Sequence, residues 1–494
     1  MLNEDYSSSM NSNKFSFGEA ARVSNETRSI RNPNRANRRA GFGLFAVTLV
    51  LLFSPSTGRA VPSFARQMNM QCIVCHTAFP VLTEFGRQFK LSGYTMSADG
   101  SNLLPPVAVM LQPSFTQTRA DQSGGAAVGF GENHNRALTQ ASIFYAGRLL
   151  GPYADSLFGK DAGAFANKIG IFSQTTYDGI GKKWSWDNTE LRFADSGTIG
   201  EQNVAFGFYL NNNPTMQDPW NTTPAWGYPF TSSHLAPSPA AGALIDGRLA
   251  QQVIGAGAYV TLANTVYLDV GGYRTLNASF QKSVGVDPVG ETQLANLAPY
   301  WRVALTKPLA GGTWEFGTFG LAADTYPGRD QSAGKDRMVD VGFDSQFQTA
   351  VGVHDVTALV SWIHERQTWH ASEALGAASN ARDSLRKFKA TLDYLYDKTY
   401  GVTAQYFTIT GSRDELLYAG SRTGSPTSDG FIFQASYLPF NKSGGPAFWP
   451  KSSVKFSVQY VGYTHFDGSR RNIDGTGRNA RDNNTLYLEA WIVF

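Results

Sequence analysis

Charge is scarce in this chain of 494 residues: Asp, Glu, Lys and Arg make up 16 % of it, against roughly 25 % in ordinary soluble domains. The 42 Lys and Arg are nearly balanced by 39 Asp and Glu. No basic surplus exists to neutralise a phosphate backbone, so nucleic acid is not an expected partner. Cysteine is scarcer still, at two residues, which excludes a disulfide scaffold. Membrane-spanning apolar length is lacking too: the run Gly41 to Phe53 has 13 residues, where a helix needs about 20 to cross a bilayer. Gly, at 50 residues, and aromatics, at 13 %, are abundant. That composition still allows a membrane protein, provided apolar residues alternate in strands.

The N-terminus reads as an export signal. From Arg28 to Arg39 there are five arginines and no acid, then the apolar run, then Gly58-Arg59-Ala60 with small residues at the first and third positions. This order of basic, apolar and small residues fits a secretory signal cut after Ala60. The expected division is a signal peptide over 1–60, a short segment over 61–106 and a larger unit over 107–494.

Both cysteines fall in Cys72-Ile73-Val74-Cys75-His76, the attachment pattern of a c-type haem. Two thiols three residues apart can each add to one porphyrin vinyl group, and the adjacent His76 can then give its imidazole to the iron as the proximal axial ligand. Three other readings compete. A zinc site wants four ligands and there is no second Cys pair; a Cys72–Cys75 disulfide would close a very small loop; a thioredoxin-like redox pair expects alternating strands and helices. One covalent haem c is the expected cofactor. For the distal side, Met68, Met70 and Met96 are near, with His134 further off. Met96 is preferred because it lies downstream, where the chain can fold back over the distal face; the alternative is that all three methionines only pack around the porphyrin.

Beyond residue 106 the pattern has a period of two. Val204, Phe206, Phe208 and Leu210 alternate with small or polar residues; Phe388, Ala390, Leu392 and Tyr394 alternate with Lys387, Lys389, Thr391 and Asp393; Val454, Phe456, Val458 and Tyr460 alternate with Lys455, Ser457 and Gln459. Segmentation gives about sixteen strands, an even number as in bacterial outer-membrane barrels. Gaps after odd strands are mostly long and those after even strands short, with 151–165, 178–183 and 439–451 as exceptions; a soluble sandwich has no reason to alternate its loops. Leu486, Leu488, Ala490, Ile492 and Phe494 form one apolar face ending in a terminal aromatic, resembling the closing strand by which such barrels are recognised. The expected fold is all-β: an antiparallel outer-membrane β-barrel of about sixteen strands, with a short N-terminal monohaem segment that plugs or lines it. Phe79, Phe85, Phe89 and Tyr94 are expected around the haem or against the barrel. Arg66, Arg87 and Lys90 are candidate partners for haem propionates or lumen carboxylates. The loop 214–250, with Asp218, Trp220, Trp226 and His234, is a candidate lid, iron entrance or plain surface cover. Arg192, Asp269, Arg302, Asp340, Asp344, Lys387, Lys389 and Asp393 are expected to face the lumen.

Val61 to Gln67, the haem motif and Thr77 to Tyr94 together resemble the N-terminus of the fused outer-membrane cytochrome–porins of iron-oxidising bacteria. The likeness is specific over about 35 residues; elsewhere it is one of architecture. It implies an Fe(II):cytochrome c oxidoreductase type of protein at the outer membrane, taking one electron from extracellular Fe(II) and passing it to a periplasmic cytochrome or other carrier, with Cys72, Cys75 and His76 carrying the haem. No loop motif for binding iron can be matched. Another donor, outward electron flow, or a diffusion porin with a structural haem remain as alternatives.

Overall fold

A computed structural model describes residues 63–77, 79–98, 106–222, 231–448 and 451–494. The expected signal peptide, Trp226 and the stretch around 99–105 lie outside the described residues.

Sixteen long strands form one closed antiparallel sheet. They are β1 (Val107–Thr118), β2 (Asn135–Arg148), β3 (Ile169–Asp178), β4 (Lys183–Ile199), β5 (Gln202–Asn211), β6 (Val253–Leu262), β7 (Val266–Thr275) and β8 (Ala298–Leu309), followed by β9 (Gly312–Tyr326), β10 (Asp336–Val351), β11 (His354–Thr368), β12 (Arg382–Tyr396), β13 (Tyr400–Gly411), β14 (Ser428–Tyr437), β15 (Ser453–His465) and β16 (Thr485–Val493). A two-residue strand, Gln293–Leu294, adds to the edge of β9. Each long strand pairs with its sequence neighbours, and β1 pairs with β16 from Met110↔Val493 to Thr118↔Thr485, which closes the barrel.

The burial pattern is that of a soluble protein turned inside out. Phe208, Phe343 and Leu392 are 57 %, 53 % and 53 % exposed, while Arg192, Asp269, Arg302 and Asp340 are at most 1 % exposed. Apolar side chains on the outer face and charged ones inside are what a lipid-facing wall requires. All eight charged positions expected in the lumen are borne out: Arg192, Asp269, Arg302, Asp340, Asp344 and Asp393 are buried, and Lys387 and Lys389 pair with Asp246 of an inward loop.

The two ends differ. At one, turns of two or three residues join β4 to β5, β6 to β7, β8 to β9, β10 to β11 and β12 to β13; at the other the connections are mostly long. In outer-membrane barrels the short turns face the periplasm. The two long connections at the short-turn end are 149–168, which folds into short helices, and the segment after β14. The tight turn at 179–182 is the short connection at the other end.

The lumen is filled from both ends. From the short-turn end enters the N-terminal segment, made of α1 (Ser63–Gln67), α2 (Cys72–Cys75) and α3 (Glu84–Leu91). From the long-loop end the connection between β5 and β6 folds inward over its described parts, 212–222 and 231–252. Its Leu244 and Ile245 join Tyr273, Tyr300, Phe319 and Trp369 in an apolar cluster enclosed by the wall.

Candidate functional site

The segment 63–98 shapes itself locally before it meets the wall. The Thr83 hydroxyl accepts the Gly86 N–H at 3.1 Å, capping α3, and donates to the Val74 carbonyl at 2.6 Å. Glu84 in the first turn and Lys90 in the last suit the helix dipole. Only glycine fits at 86, because a Cβ there would stand 2.3 Å from the Cys75 carbonyl oxygen. α3 is thereby laid directly against the cysteine turn.

Polar contacts then fix the segment to the barrel. Arg87 donates to Gln348 at 2.6 Å and to Gln346 at 3.3 Å on β10, Lys455 of β15 donates to the Phe79 carbonyl at 3.0 Å, and Arg66 donates to the Val107 carbonyl. At the far end Tyr94 donates to Glu190 at 2.8 Å, Glu190 pairs with Arg192 at 2.8 Å, and Arg192 donates to the Lys90 carbonyl at 3.0 Å.

Between the segment and the wall lies a cavity of about 240 Å³ that both cysteines and His76 line. Its walls are Phe64, Met68, Met70, Phe79, Phe89 and Tyr94 from the segment; Met110, Phe144, Phe172 and Trp491 from the barrel; and Met216 and Asn221 from the inward loop. Cys72 and Cys75 are free thiols, not a disulfide. Burial pushes Cys72 up to about 12, with Cys75 adding to the shift, and pushes Cys75 up to about 11. Both are therefore neutral at ordinary pH and unlike the thiolates of zinc or thiol–disulfide sites. Burial holds the His76 imidazole down at about 4 against the backbone of Val81 and Pro80, so it is neutral at ordinary pH. Its Nδ1 is buried with no hydrogen-bond partner. Two thiols, one neutral imidazole and an aromatic, methionine-lined slot are a donor set that fits a c-type haem.

Of the other expected residues, Phe79, Phe89 and Tyr94 line the cavity, whereas Phe85 packs one layer behind, with Met96, in a cluster around Met68. Met96 is not among the lining residues, and its carbonyl accepts the Gln67 amide at 2.7 Å. His134 sits beside Phe115 at the start of β2 by the long loops, away from the cavity. Arg66 and Arg87 are spent on the wall contacts above; Lys90 lines the cavity while donating to the Asp218 carbonyl at 2.8 Å.

The inward course of the 212–252 connection is what sequence reasoning missed. Asp218 lies 3.4 Å from Arg302, and its carboxylate accepts the Trp220 and Thr222 N–H groups at 2.9 Å each. Leu244 N–H donates to Glu365 at 2.6 Å and Ile245 N–H to Asp340 at 2.8 Å. The loop places Met216 and Asn221 over the cavity. Its signal in the sequence was apolar content, with Met216, Trp220, Leu235, Leu244 and Ile245 in what read as a lid, an iron entrance or a plain surface cover. Among the described residues no three His, Cys, Asp or Glu side chains converge to hold a metal ion.

No family model matches the chain, and no curated protein does. Among solved structures it is similar to the outer-membrane protein OmpT of Vibrio cholerae, at 9 % identity over 78 % of this chain and 96 % of that one, TM-score 0.38. It is similar to an anion-selective porin from Comamonas acidovorans, at 8 % identity over 78 % and 98 %, TM-score 0.40. It is similar also to the outer-membrane channel DcaP of Acinetobacter baumannii, at 10 % identity over 78 % and 96 %, TM-score 0.40. By its own strand pairing and inverted burial, this chain is a closed sixteen-stranded antiparallel barrel of the outer-membrane type.

Proposed function

We propose that the chain is an electron-transfer protein of the outer membrane, carrying one covalent haem c inside its barrel and taking electrons from extracellular Fe(II) for a periplasmic carrier. The convergence of Cys72, Cys75 and His76 on one apolar cavity in the lumen is the observation that supports it. Cys72 and Cys75 would hold the group by thioether bonds and His76 would ligate its iron. Bound there, haem c supplies one-electron redox chemistry. The residues around it exclude water, and Lys90 offers a cation at the cavity edge. Burial lowers that cation to about 8, against the opposing pull of Glu190, so it is still charged at neutral pH. Fe(II) as substrate rests on the resemblance of residues 61–94; the cavity itself would serve any one-electron donor. Mixing the haem-loaded protein with Fe(II) in the absence of oxygen tests this. Reduction of the haem absorption bands is expected, and failure to reduce them defeats the iron reading.

A diffusion porin with a structural haem is the second reading. It is favoured by the barrel itself, closed, sixteen-stranded and bearing a charged inner face. Planar-bilayer conductance separates the two. High solute conductance in the haem-loaded protein supports the porin, and low conductance the electron-transfer protein.

A further inference from the structure

At the long-loop end, the connections 412–427 and 466–484 enclose a groove of about 700 Å³ lined by Arg422, Arg470, Arg471 and Arg481, with Tyr463 and Ser469 among its other walls. No carboxylate is among the residues that line it. We propose that this groove is a binding site for phosphate-bearing anions, a role separate from the redox reading.

The groove is preformed. Arg422 ties the two connections together, its backbone N–H donating to the Ile473 carbonyl at 2.8 Å and its Nε to the Asn472 carbonyl at 2.8 Å. Ile473 N–H donates to the Arg478 carbonyl at 2.7 Å, Ala480 N–H donates to the Arg470 carbonyl at 3.0 Å, and Asn479 and Asp482 cap each other's backbone. Phe466, Ile473 and Ala480 form a small apolar core beneath. The guanidiniums are thus carried on an ordered loop, which lowers the entropy cost of gathering them around a ligand.

The charges are also available. Arg478, the neighbour outside the groove, is occupied by the Asp121 carbonyl at 2.8 Å and Asn483 at 2.6 Å. Among the described residues Arg470, Arg471 and Arg481 form no ion pair with a carboxylate. Asp482, the acid next to Arg481, accepts the Asn479 N–H at 2.8 Å and its amide at 2.9 Å. Planar guanidiniums match tetrahedral oxyanions in paired hydrogen bonds, and several converging on one concavity select a multiply charged group over a carboxylate. At this end of the barrel phosphate comes from two sources, the phosphorylated glycolipid of the outer leaflet or free phosphate.

The test uses the full haem-loaded chain in nanodiscs. Binding of inorganic phosphate, and of lipid A with and without its phosphates, is measured for the protein and for an R470Q/R471Q double variant. Retention of heat-resistant gel migration shows that the variant barrel is folded, and R481Q alone repeats the measurement with a smaller change. Binding weakened at least about tenfold in the double variant is expected, since charge-assisted hydrogen bonds are lost. Preference for phosphorylated lipid A assigns the lipid headgroup, and inorganic phosphate binding without that preference assigns the soluble anion. No binding of either probe, or equal binding by the protein and both variants, overturns the proposal.

Discussion

Arg192 is fully buried between the rings of Tyr94 and Tyr259, 5.6 and 5.0 Å from their centroids, with Glu190 at 2.8 Å. An Arg192→Met change leaves Glu190 buried without its cation, which costs about 3–5 kcal/mol. Because Lys90 and Tyr94 hang on the same pair, the loss should appear first as release of segment 63–98. Limited proteolysis before and after the change checks this, with earlier cleavage between Thr77 and Tyr94 expected. At the cysteines, a Cys72→Ser/Cys75→Ser double variant should lose the haem-staining band on a denaturing gel, while the band persists in the parent protein. That these two residues and His76 share one cavity was legible because the attachment pattern occupies five consecutive positions. Met216 was not legible, since its place over the cavity depends on contacts of its loop with Asp340, Arg302 and Glu365 that no local pattern encodes.

The connection 212–252 is held by carboxylates, which makes its attachment depend on pH. Burial pushes the Asp246 carboxyl up, but Lys387 and Lys389 more than offset this and hold it at about 2, below its ordinary 3.8. A depressed carboxylate stabilises the folded arrangement fully above about 3.8, and that stabilisation is lost as pH falls from there toward about 2. Conductance in planar bilayers should therefore stay low at pH 4 and rise as pH approaches 2. In a Lys387→Gln/Lys389→Gln variant burial acts alone and lifts the carboxyl above 3.8, so its contribution is lost as pH rises: conductance should be raised at neutral pH and fall on acidification, and a pH profile like that of the parent would show that Asp246 is not the latch. The strands were read closely from the sequence: β1 begins at Val107 as expected, and Phe206, Phe208 and Leu210 of β5, Leu392 of β12 and Phe456, Val458 and Tyr460 of β15 are exposed on the outer face, while Val204 and Val454 near the strand starts are buried. Period two survives inversion of the barrel, since lipid and lumen still alternate along a strand. The direction in which a long connection turns has no such period, and its inward fold was invisible for that reason.

For the molecule as a whole, two plugs meet inside one wall: Lys90 of the N-terminal segment touches Asp218 of the inward loop, and Arg192 of β4 holds both. A barrel of this size is open unless filled, so removing residues 231–250 should raise single-channel conductance, whereas substituting Cys72, Cys75 and His76 should leave it low. The cavity adds a constraint on assembly. Met110 of β1 and Trp491 and Val493 of β16 line it together, and these two strands form the seam where the first-made and last-made parts of the wall join. The N-terminal segment is thus a keystone: the ring seals across it, and once sealed the cysteines lie behind the seam. With haem attached as proposed, attachment has to come before closure. A barrel refolded without haem and then offered haem with the attachment machinery should stay unloaded, while the same chain loaded before refolding keeps its cofactor.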